Sequence, residues 1–101
     1  MPAAVERVVT VQNPLGIHMR PADVLSRTAQ QFDSEIVIEK DGQLIDCKSI
    51  LSILTLGARQ GTQLNLRADG DDAAAAVEVL TELFDRGFDE TDSEIVSPEP
   101  T

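Results

Sequence analysis

The sequence is poor in the side chains that build disulfides, multi-cysteine metal sites and aromatic stacking surfaces. It contains one cysteine, Cys47, no tryptophan and no tyrosine, and its three aromatic residues are all phenylalanine. One cysteine excludes an intrachain disulfide and a zinc site built from several cysteines. Without tryptophan or tyrosine, the chain lacks the usual platforms on which single-stranded bases stack. We expect Cys47 to be a small strand residue and not a redox centre.

Basic residues are also scarce. Eight lysines and arginines stand against 18 acidic residues, so the formal net charge is −10. DNA, RNA and anionic membranes require a basic surface, so we expect no nucleic-acid partner. The charge is uneven, because residues 89–101 hold five acidic residues, two prolines and no basic residue. We therefore expect one domain over residues 1–88 and a disordered acidic tail over residues 89–101.

Long apolar runs are missing as well. No run approaches the ~18 residues that a membrane-spanning helix needs, and we expect no membrane insertion. The N-terminus lacks the basic and then apolar pattern of a signal peptide, which predicts a cytoplasmic protein. The chain has 101 residues, of which 42% are apolar. That is enough to form one hydrophobic core but too little to enclose a deep substrate-binding cleft as well.

The apolar spacing changes repeatedly between the period of a strand and that of a helix. Strands are predicted at residues 7–12, 35–40, 43–47 and 63–68, and helices at residues 19–32, 49–56 and from 73 to a stop at Gly87. Asp41 and Gly42 form a strong hairpin-turn signal between the second and third strands. Asp72 is a candidate N-cap for the last helix. This order predicts an α+β two-layer domain with helices on one face of an antiparallel sheet.

The single histidine, His18, lies where a loop becomes a helix. A lone histidine is commonly an ordinary surface or core residue, but this position adds chemistry. The first N–H groups of the helix are unpaired and form an anion site. Arg20 can hold phosphate oxygens through two parallel hydrogen bonds. Pro21 is tolerated in a first turn, and Gly16 lets the backbone bend close to the site.

These residues suit phosphoryl transfer better than hydrolysis. A neutral imidazole is a nucleophile with an ordinary pKa near neutrality, and a helix start with an arginine can stabilise phosphate charge. No second base is available to complete a hydrolytic triad with His18. No cluster of histidine, cysteine and carboxylate predicts a metal, so we expect neither metal nor cofactor.

Two segments resemble signatures of one family. Residues 15–22, LGIHMRPA, are similar to the active-site signature of HPr, the histidine phosphocarrier of the phosphoenolpyruvate–sugar phosphotransferase system. Residues 48–57, KSILSILTLG, resemble the second signature of that family. The resemblance covers roughly residues 6–88. It implies an open-faced β-sandwich, in which three helices cover one face of a four-stranded antiparallel sheet.

The resemblance also implies roles for particular residues. Nδ1 of His18 would accept a phosphoryl group from phosphorylated enzyme I and pass it to a histidine of an enzyme II A component. Arg20 would support the phosphate, with Gly16, Met19 and Pro21 around it. The protein would be a monomeric carrier and not an autonomous enzyme. Met19 departs from the family, whose members more often have alanine or threonine there.

Ser49 and its helix have two interpretations each. Ser49 precedes an apolar helix and is an N-cap candidate, and the resemblance makes it the serine that a dedicated kinase phosphorylates in many relatives. Ile53 and Leu56 can face the core, whereas the other apolar positions form either an exposed docking patch or part of a helix buried all round. The basic residues nearby are either a docking rim or ordinary solvated charges. The docking residues that the resemblance implies are Ile50, Leu51, Leu54, Arg27, Lys48 and Arg59.

Two alternatives to sugar transport stay open from the sequence. One is a regulatory HPr-like protein that controls nitrogen or carbon metabolism while still being phosphorylated. The other is a non-catalytic α+β binding module in which His18 is incidental.

Overall fold

Four strands and three helices alternate along residues 4–90, the part of the chain described in our computed structural model. The strands are β1 (Ala4–Thr10), β2 (Glu35–Lys40), β3 (Gln43–Asp46) and β4 (Gln63–Asp69). The helices are α1 (Met19–Ala29), α2 (Ile50–Leu54) and α3 (Ala73–Asp85), followed by a 3₁₀ turn (Gly87–Asp89). This order confirms the predicted α+β architecture.

The strands form one antiparallel sheet in the order β1-β4-β2-β3. In β2, Ile38 lies opposite Leu66 of β4 on one side and Ile45 of β3 on the other. All three side chains are buried on the face that the helices cover. On the other face, Val8 and Leu44 are 62% and 64% exposed. Within residues 4–90 the helices therefore cover one face of the sheet, as predicted.

The helices contribute the other half of the core. Ala22, Leu25 and Ala29 of α1 are fully buried, which confirms the predicted stripe. In α3 the buried apolar residues are Ala73, Ala76, Val77, Leu80, Leu83 and Phe84. Helix α1 ends at Ala29, three residues before the predicted end at Phe32, which packs only partly buried against the core.

Cys47 lies in this core, as expected. Its side chain is fully buried just after β3. Burial, with a smaller contribution from the charge of Asp46, raises the pKa of the thiol to about 12. The thiol therefore stays protonated at neutral pH, which fits a structural residue rather than a redox centre.

Asp72 occupies the predicted N-cap position of α3, but its carboxylate does not cap that helix. Instead it accepts hydrogen bonds from the backbone N–H of Asp33 (2.8 Å), the N–H of Ser34 (3.0 Å) and the hydroxyl of Ser34 (2.5 Å). These bonds, that of the Ser34 hydroxyl first, hold the pKa of Asp72 below its usual range. Asp72 thus ties the loop after α1 to the start of α3.

The chain continues in ordered structure slightly beyond the predicted domain end. Phe88 is buried, and its ring meets that of Phe84 edge to face at 5.0 Å. This contact anchors the 3₁₀ turn, which includes Asp89 and is followed directly by Glu90. The structure thus differs from the sequence prediction at Asp89 and Glu90, which the acidic composition assigned to the tail. Residues 91–101 of that predicted tail lie outside the described residues.

The contacts of Asp72 predict an acid-dependent stability. The pKa of Asp72 is lowered in the folded protein. Its contribution to the free energy of unfolding is therefore complete above the ordinary aspartate pKa of 3.8, and it is lost as the pH falls through the pKa of the folded state. We expect Asp72→Asn to be less stable than the wild type at pH 7 and to lose less stability on acidification below pH about 4. Urea unfolding midpoints measured across this range test the prediction.

Asp71→Asn is the matched control, because it removes the same charge from the neighbouring exposed position. It should leave the acid dependence as in the wild type. Parallel pH profiles for the wild type and Asp72→Asn would contradict the assigned role of Asp72.

Candidate functional site

The loop before α1 is shaped by a close backbone approach at Gly16. This residue has a φ of +70°, and a Cβ there would overlap the carbonyl oxygen of Ala58 and lie 3.0 Å from Cα of Arg59. The next residue, Ile17, donates its N–H to the same Ala58 carbonyl at 2.9 Å. Only glycine fits both the positive φ and the short distance to Ala58. Gly16 therefore lets the loop pack directly against the segment before β4.

His18 is the N-cap residue of α1. Its backbone is extended (φ −98°, ψ −166°), and its carbonyl accepts the N–H of Ala22 at 3.0 Å. The ring makes no capping bond to its own helix and is 36% exposed. The first turn of α1, which begins at Met19, presents its N–H groups toward the start of the helix. Pro21, also in that turn and fully buried, lacks an N–H that would have been unpaired there.

The imidazole faces a carboxylate from the end of the described chain. Nε2 of His18 lies 2.8 Å from Oε2 of Glu90, and a guanidinium nitrogen of Arg20 lies 3.4 Å from the same oxygen. The other carboxylate oxygen accepts from Nδ2 of Asn13 at 2.8 Å. The Glu90 side chain is only 4% exposed. Three donors from the N-terminal part of the chain therefore meet on one carboxylate from the end of the described residues.

Asn13 connects this carboxylate to the loop. Its side chain is buried, and Nδ2 donates also to the carbonyl of Gly16 at 2.7 Å. Both partners are acceptors, so the amide must present its NH₂ group to them, since the flipped orientation would oppose oxygen to oxygen. The same amide thus fixes the loop around Gly16 and the position of Glu90.

Sequence reasoning missed Asn13 and Glu90 as site residues. Asn13 directly follows the predicted first strand and precedes Pro14, and Glu90 falls within the predicted acidic tail. One signal could have found Glu90: Phe88 is an apolar residue just beyond the helix-ending Gly87, and it marks continued packing. No local signal indicates that Glu90 reaches His18, because the two are 72 residues apart.

The predicted apolar docking residues divide into two kinds. Leu51 is 75% exposed, whereas Ile50 and Leu54 are half-buried against the core. Ile53 is fully buried, as expected. Helix α2 is therefore not buried all round. Leu15 and Met19, beside His18, are also large exposed apolar residues at 54% and 59%, and only Met19 was named from the sequence, as a neighbour of the phosphate.

The predicted basic residues lie in two places. Arg20 and Arg59 belong to the segments that meet at the His18 loop. Arg27 is in the last turn of α1, where it pairs with Asp23 at 2.9 Å. The ammonium group of Lys48 donates to the carbonyl of Phe32 at 2.7 Å. Arg27 and Lys48 thus lie toward the opposite end of α1 and have intramolecular partners.

Ser49 caps α2, which confirms the prediction that it is an N-cap residue. Its hydroxyl oxygen accepts the N–H of Ser52 at 3.2 Å. The side chain of Gln30, just after α1, donates to the carbonyl of Lys48 at 3.0 Å, so Ser49 lies near the C-terminal end of α1. His18 begins the same 11-residue helix, which is about 16 Å long. The two residues therefore lie toward opposite ends of α1.

Neither a metal cluster nor a membrane-spanning segment occurs in the described part of the chain. Over residues 4–90, no group of three or more histidine, cysteine or acidic side chains could hold a metal ion. None of the helices there is long and apolar enough to cross a membrane.

Comparisons with known proteins agree with this geometry. A family model described as "PTS HPr component phosphorylation site" matches residues 5–86. Phosphocarrier protein HPr of Xylella fastidiosa (strain Temecula1) is 38% identical over 85 residues, which cover 84% of this chain and 96% of that protein.

Solved structures give the same result. The crystal structure of HPr-C-His from Thermoanaerobacter tengcongensis superposes with a TM-score of 0.83 at 38% identity, covering 86% of this chain and 98% of that one. Crh of Bacillus subtilis, a catabolite repression protein with a domain-swapped dimer in its crystal structure, has a TM-score of 0.68 at 32% identity. The match covers 82% of this chain and 95% of Crh.

The open-faced sheet and the histidine at the start of α1 define the class of small α+β phosphocarrier proteins. The family match and the relatives specify it further. The chain belongs to the HPr family, the phosphocarrier proteins of the phosphotransferase system.

Proposed function

We propose that His18 accepts a phosphoryl group from phosphorylated enzyme I and passes it to a histidine of an enzyme II A component, in support of sugar uptake. The observation that carries this proposal is the position of the chain's single histidine at the N-cap of α1, with its ring 36% exposed. A ring in this position can enter a partner's active site and leave it again. The proposed place of action is the cytoplasm.

The reaction requires a nucleophile and a way to stabilise phosphate charge. A neutral imidazole nitrogen attacks phosphorus, and the electron pair of the breaking bond leaves with the donor. The first-turn N–H groups of Met19 and Arg20 point toward incoming negative charge. The guanidinium of Arg20 adds a positive charge beside the ring. Positioning and charge stabilisation supply most of the catalysis in phosphoryl transfer, so these groups suffice for a carrier.

The exposed apolar side chains support a docking surface. Leu15 and Met19, beside His18, and Leu51, on α2, are each more than half exposed. Exposed apolar residues with arginines at the edge favour an acidic protein partner, which the arginines steer and the apolar centre holds. Arg20 and Arg59 belong to the segments that meet at the His18 loop, whereas Arg27 and Lys48 lie toward the other end of α1, so we expect Arg20 and Arg59 to act closest to the acceptor ring.

Ser49 is proposed as a regulatory phosphorylation site for a serine kinase. A phosphate on its hydroxyl would replace the acceptor of the Ser52 N–H and would lie close to Asp46, whose carboxylate accepts the N–H of Lys48 at 2.9 Å. The added negative charge would repel acidic partners along α2. Since Ser49 is about one length of α1 from His18, we expect weaker docking rather than a direct change in imidazole chemistry.

A purely regulatory role is the second candidate, supported by the likeness to Crh of Bacillus subtilis. Such a protein would be phosphorylated without delivering the group to an enzyme II A component. Transfer from phosphorylated His18 to enzyme II A distinguishes the two roles. We expect the chain to act as a monomer, although an HPr from Thermoanaerobacter tengcongensis has been crystallised as a dimer.

The primary test is labelling with radioactive phosphoenolpyruvate and enzyme I. We expect one acid-labile phosphoryl group on each wild-type chain and none on His18→Ala, because the chain has no other histidine. Ser49→Ala serves as the control and should be labelled as fully as the wild type. Label that persists in folded His18→Ala, or a wild type that no enzyme I labels, would contradict the proposal.

Docking is tested by placing a charge on the exposed apolar surface. Leu51→Glu should weaken binding to enzyme I at least tenfold, which is about 1.4 kcal/mol. Leu44→Glu is the matched control, because Leu44 is similarly exposed but lies on the uncovered face of the sheet. Titration calorimetry measures both affinities, and equal affinities for the two variants would exclude α2 from the docking surface.

The serine assignment is tested with a serine kinase of the system and ATP. We expect an acid-stable phosphate on the wild type and on Ser52→Ala, and none on Ser49→Ala. Ser49→Ala should also lose about 1 kcal/mol of unfolding free energy, because the N-cap of α2 is removed. Acid-stable label that survives in Ser49→Ala would show that the kinase uses another residue.

A further inference from the structure

We propose that Glu90 is a positioning residue for His18, and that it selects the imidazole nitrogen that accepts the phosphoryl group. The inference rests on the proposed function of His18 as the acceptor. It adds a contact from Glu90, at the end of the described residues, which the composition of the sequence assigns to the acidic tail.

The geometry of the carboxylate is the first step. Oε2 of Glu90 lies 2.8 Å from Nε2 of His18, and Oε1 lies 2.8 Å from Nδ2 of Asn13. The guanidinium of Arg20 is further away, at 3.4 Å. The side chain is 4% exposed, so these contacts are shielded from water on most sides. Such a carboxylate is held by the protein rather than by solvent.

The second step concerns the tautomer of the ring. An ionised carboxylate can only accept hydrogen bonds, so Nε2 must carry the hydrogen. In the neutral imidazole this leaves the lone pair on Nδ1. The contact with Glu90 therefore makes Nδ1 the nucleophile.

The third step is the charge that develops during transfer. As the bond between Nδ1 and phosphorus forms, the bond between phosphorus and the donor breaks and its electron pair leaves with the donor. Nε2 keeps its hydrogen throughout, so no proton acceptor is needed. The ring gains positive charge, which the carboxylate of Glu90 stabilises from the opposite edge, as a carboxylate does behind the histidine of a catalytic triad.

The fourth step is the rigidity of the support. The amide of Asn13 is buried and is also bonded to the carbonyl of Gly16, so it cannot swing away without breaking the loop. From the other side, the packing of Phe88 on Phe84 holds the turn that precedes Glu90. Glu90 is thus held at its side chain, by Asn13 on Oε1, and at its backbone, by the turn before it. A positioning residue requires such support.

The test uses the full chain with three substitutions. Glu90→Ala removes the carboxylate, and Glu90→Gln removes the charge while keeping an oxygen that can accept from Nε2. Asp89→Asn is the charge control, because Asp89 pairs with Arg86 at 3.2 Å and not with His18. The measurements are the single-turnover rate of phosphorylation by phosphorylated enzyme I and the ¹⁵N chemical shifts of the His18 ring at pH about 8.5, above the ordinary histidine pKa of about 6.5.

We expect the wild type and Asp89→Asn to show the tautomer with hydrogen on Nε2 and equal rates. Glu90→Ala should show a mixture of tautomers and a rate roughly tenfold lower. Glu90→Gln should also have a rate below that of the wild type, because it lacks the negative charge that stabilises the ring during transfer. An unchanged tautomer in Glu90→Ala, an unchanged or higher rate in either Glu90 variant, or a lower rate in Asp89→Asn would each overturn the proposal.

These outcomes are distinct from a failure of the proposed function. If His18 is not a phosphoryl acceptor, the wild type itself is not labelled. The ring tautomer is measured without enzyme I, so it tests the contact with Glu90 independently of any partner.

Discussion

The amide of Asn13 is the contact on which the arrangement of the site depends. It is buried, and its two hydrogens are committed to the carbonyl of Gly16 and the carboxylate of Glu90. Leaving such a group unpaired costs about 1–3 kcal/mol, so both acceptors are strongly preferred where they are. The first bond closes the loop that delivers His18 to the start of α1. The second brings Glu90, at the end of the described residues, to the ring, so one side chain links the loop after β1 and this C-terminal segment to the same histidine.

The antiparallel packing of α1 and α2 separates the proposed phosphoryl acceptor, His18, from the proposed regulatory serine, Ser49. The loop before α1 meets the segment after α2 through Gly16 and Ala58, whereas the end of α1 meets the start of α2 through Gln30 and Lys48. His18 therefore lies at one end of the helix pair and Ser49 at the other, and Leu51 is exposed in the first turn of α2. A surface that covers both helices can detect a phosphate on Ser49 without any change in the geometry of His18. Local charge matters more here than the net charge of −10, because surface charges separated by more than about 10 Å are largely screened at 0.1 M salt.

Local periodicity predicted the fold well because each element follows its own apolar pattern. The bounds of β2, the burial of Ile38 and Ile45, and the stripe of Leu25 on α1 follow from spacing alone. Motif chemistry placed His18 at the N-cap for the same local reason. Contacts between distant residues were not predictable in this way. Asp72 has the residue type and position of an N-cap, yet its carboxylate instead accepts hydrogen bonds from three donors of Asp33 and Ser34, in the loop after α1. Glu90 follows the composition rule for a tail, yet Phe88 anchors the chain beside it.

The position of Glu90 also bears on why this site suits a carrier rather than a hydrolase. Hydrolysis of a phosphorylated histidine needs a base that activates water, and an acidic side chain beside the ring would be the natural candidate. Both oxygens of Glu90 already accept hydrogen bonds, from Asn13 and from His18, and the side chain is almost completely buried. A carboxylate held in this way can stabilise the ring but is poorly placed to take a proton from water. The same contacts that orient the nucleophile therefore favour retention of the phosphoryl group until a partner's histidine takes it.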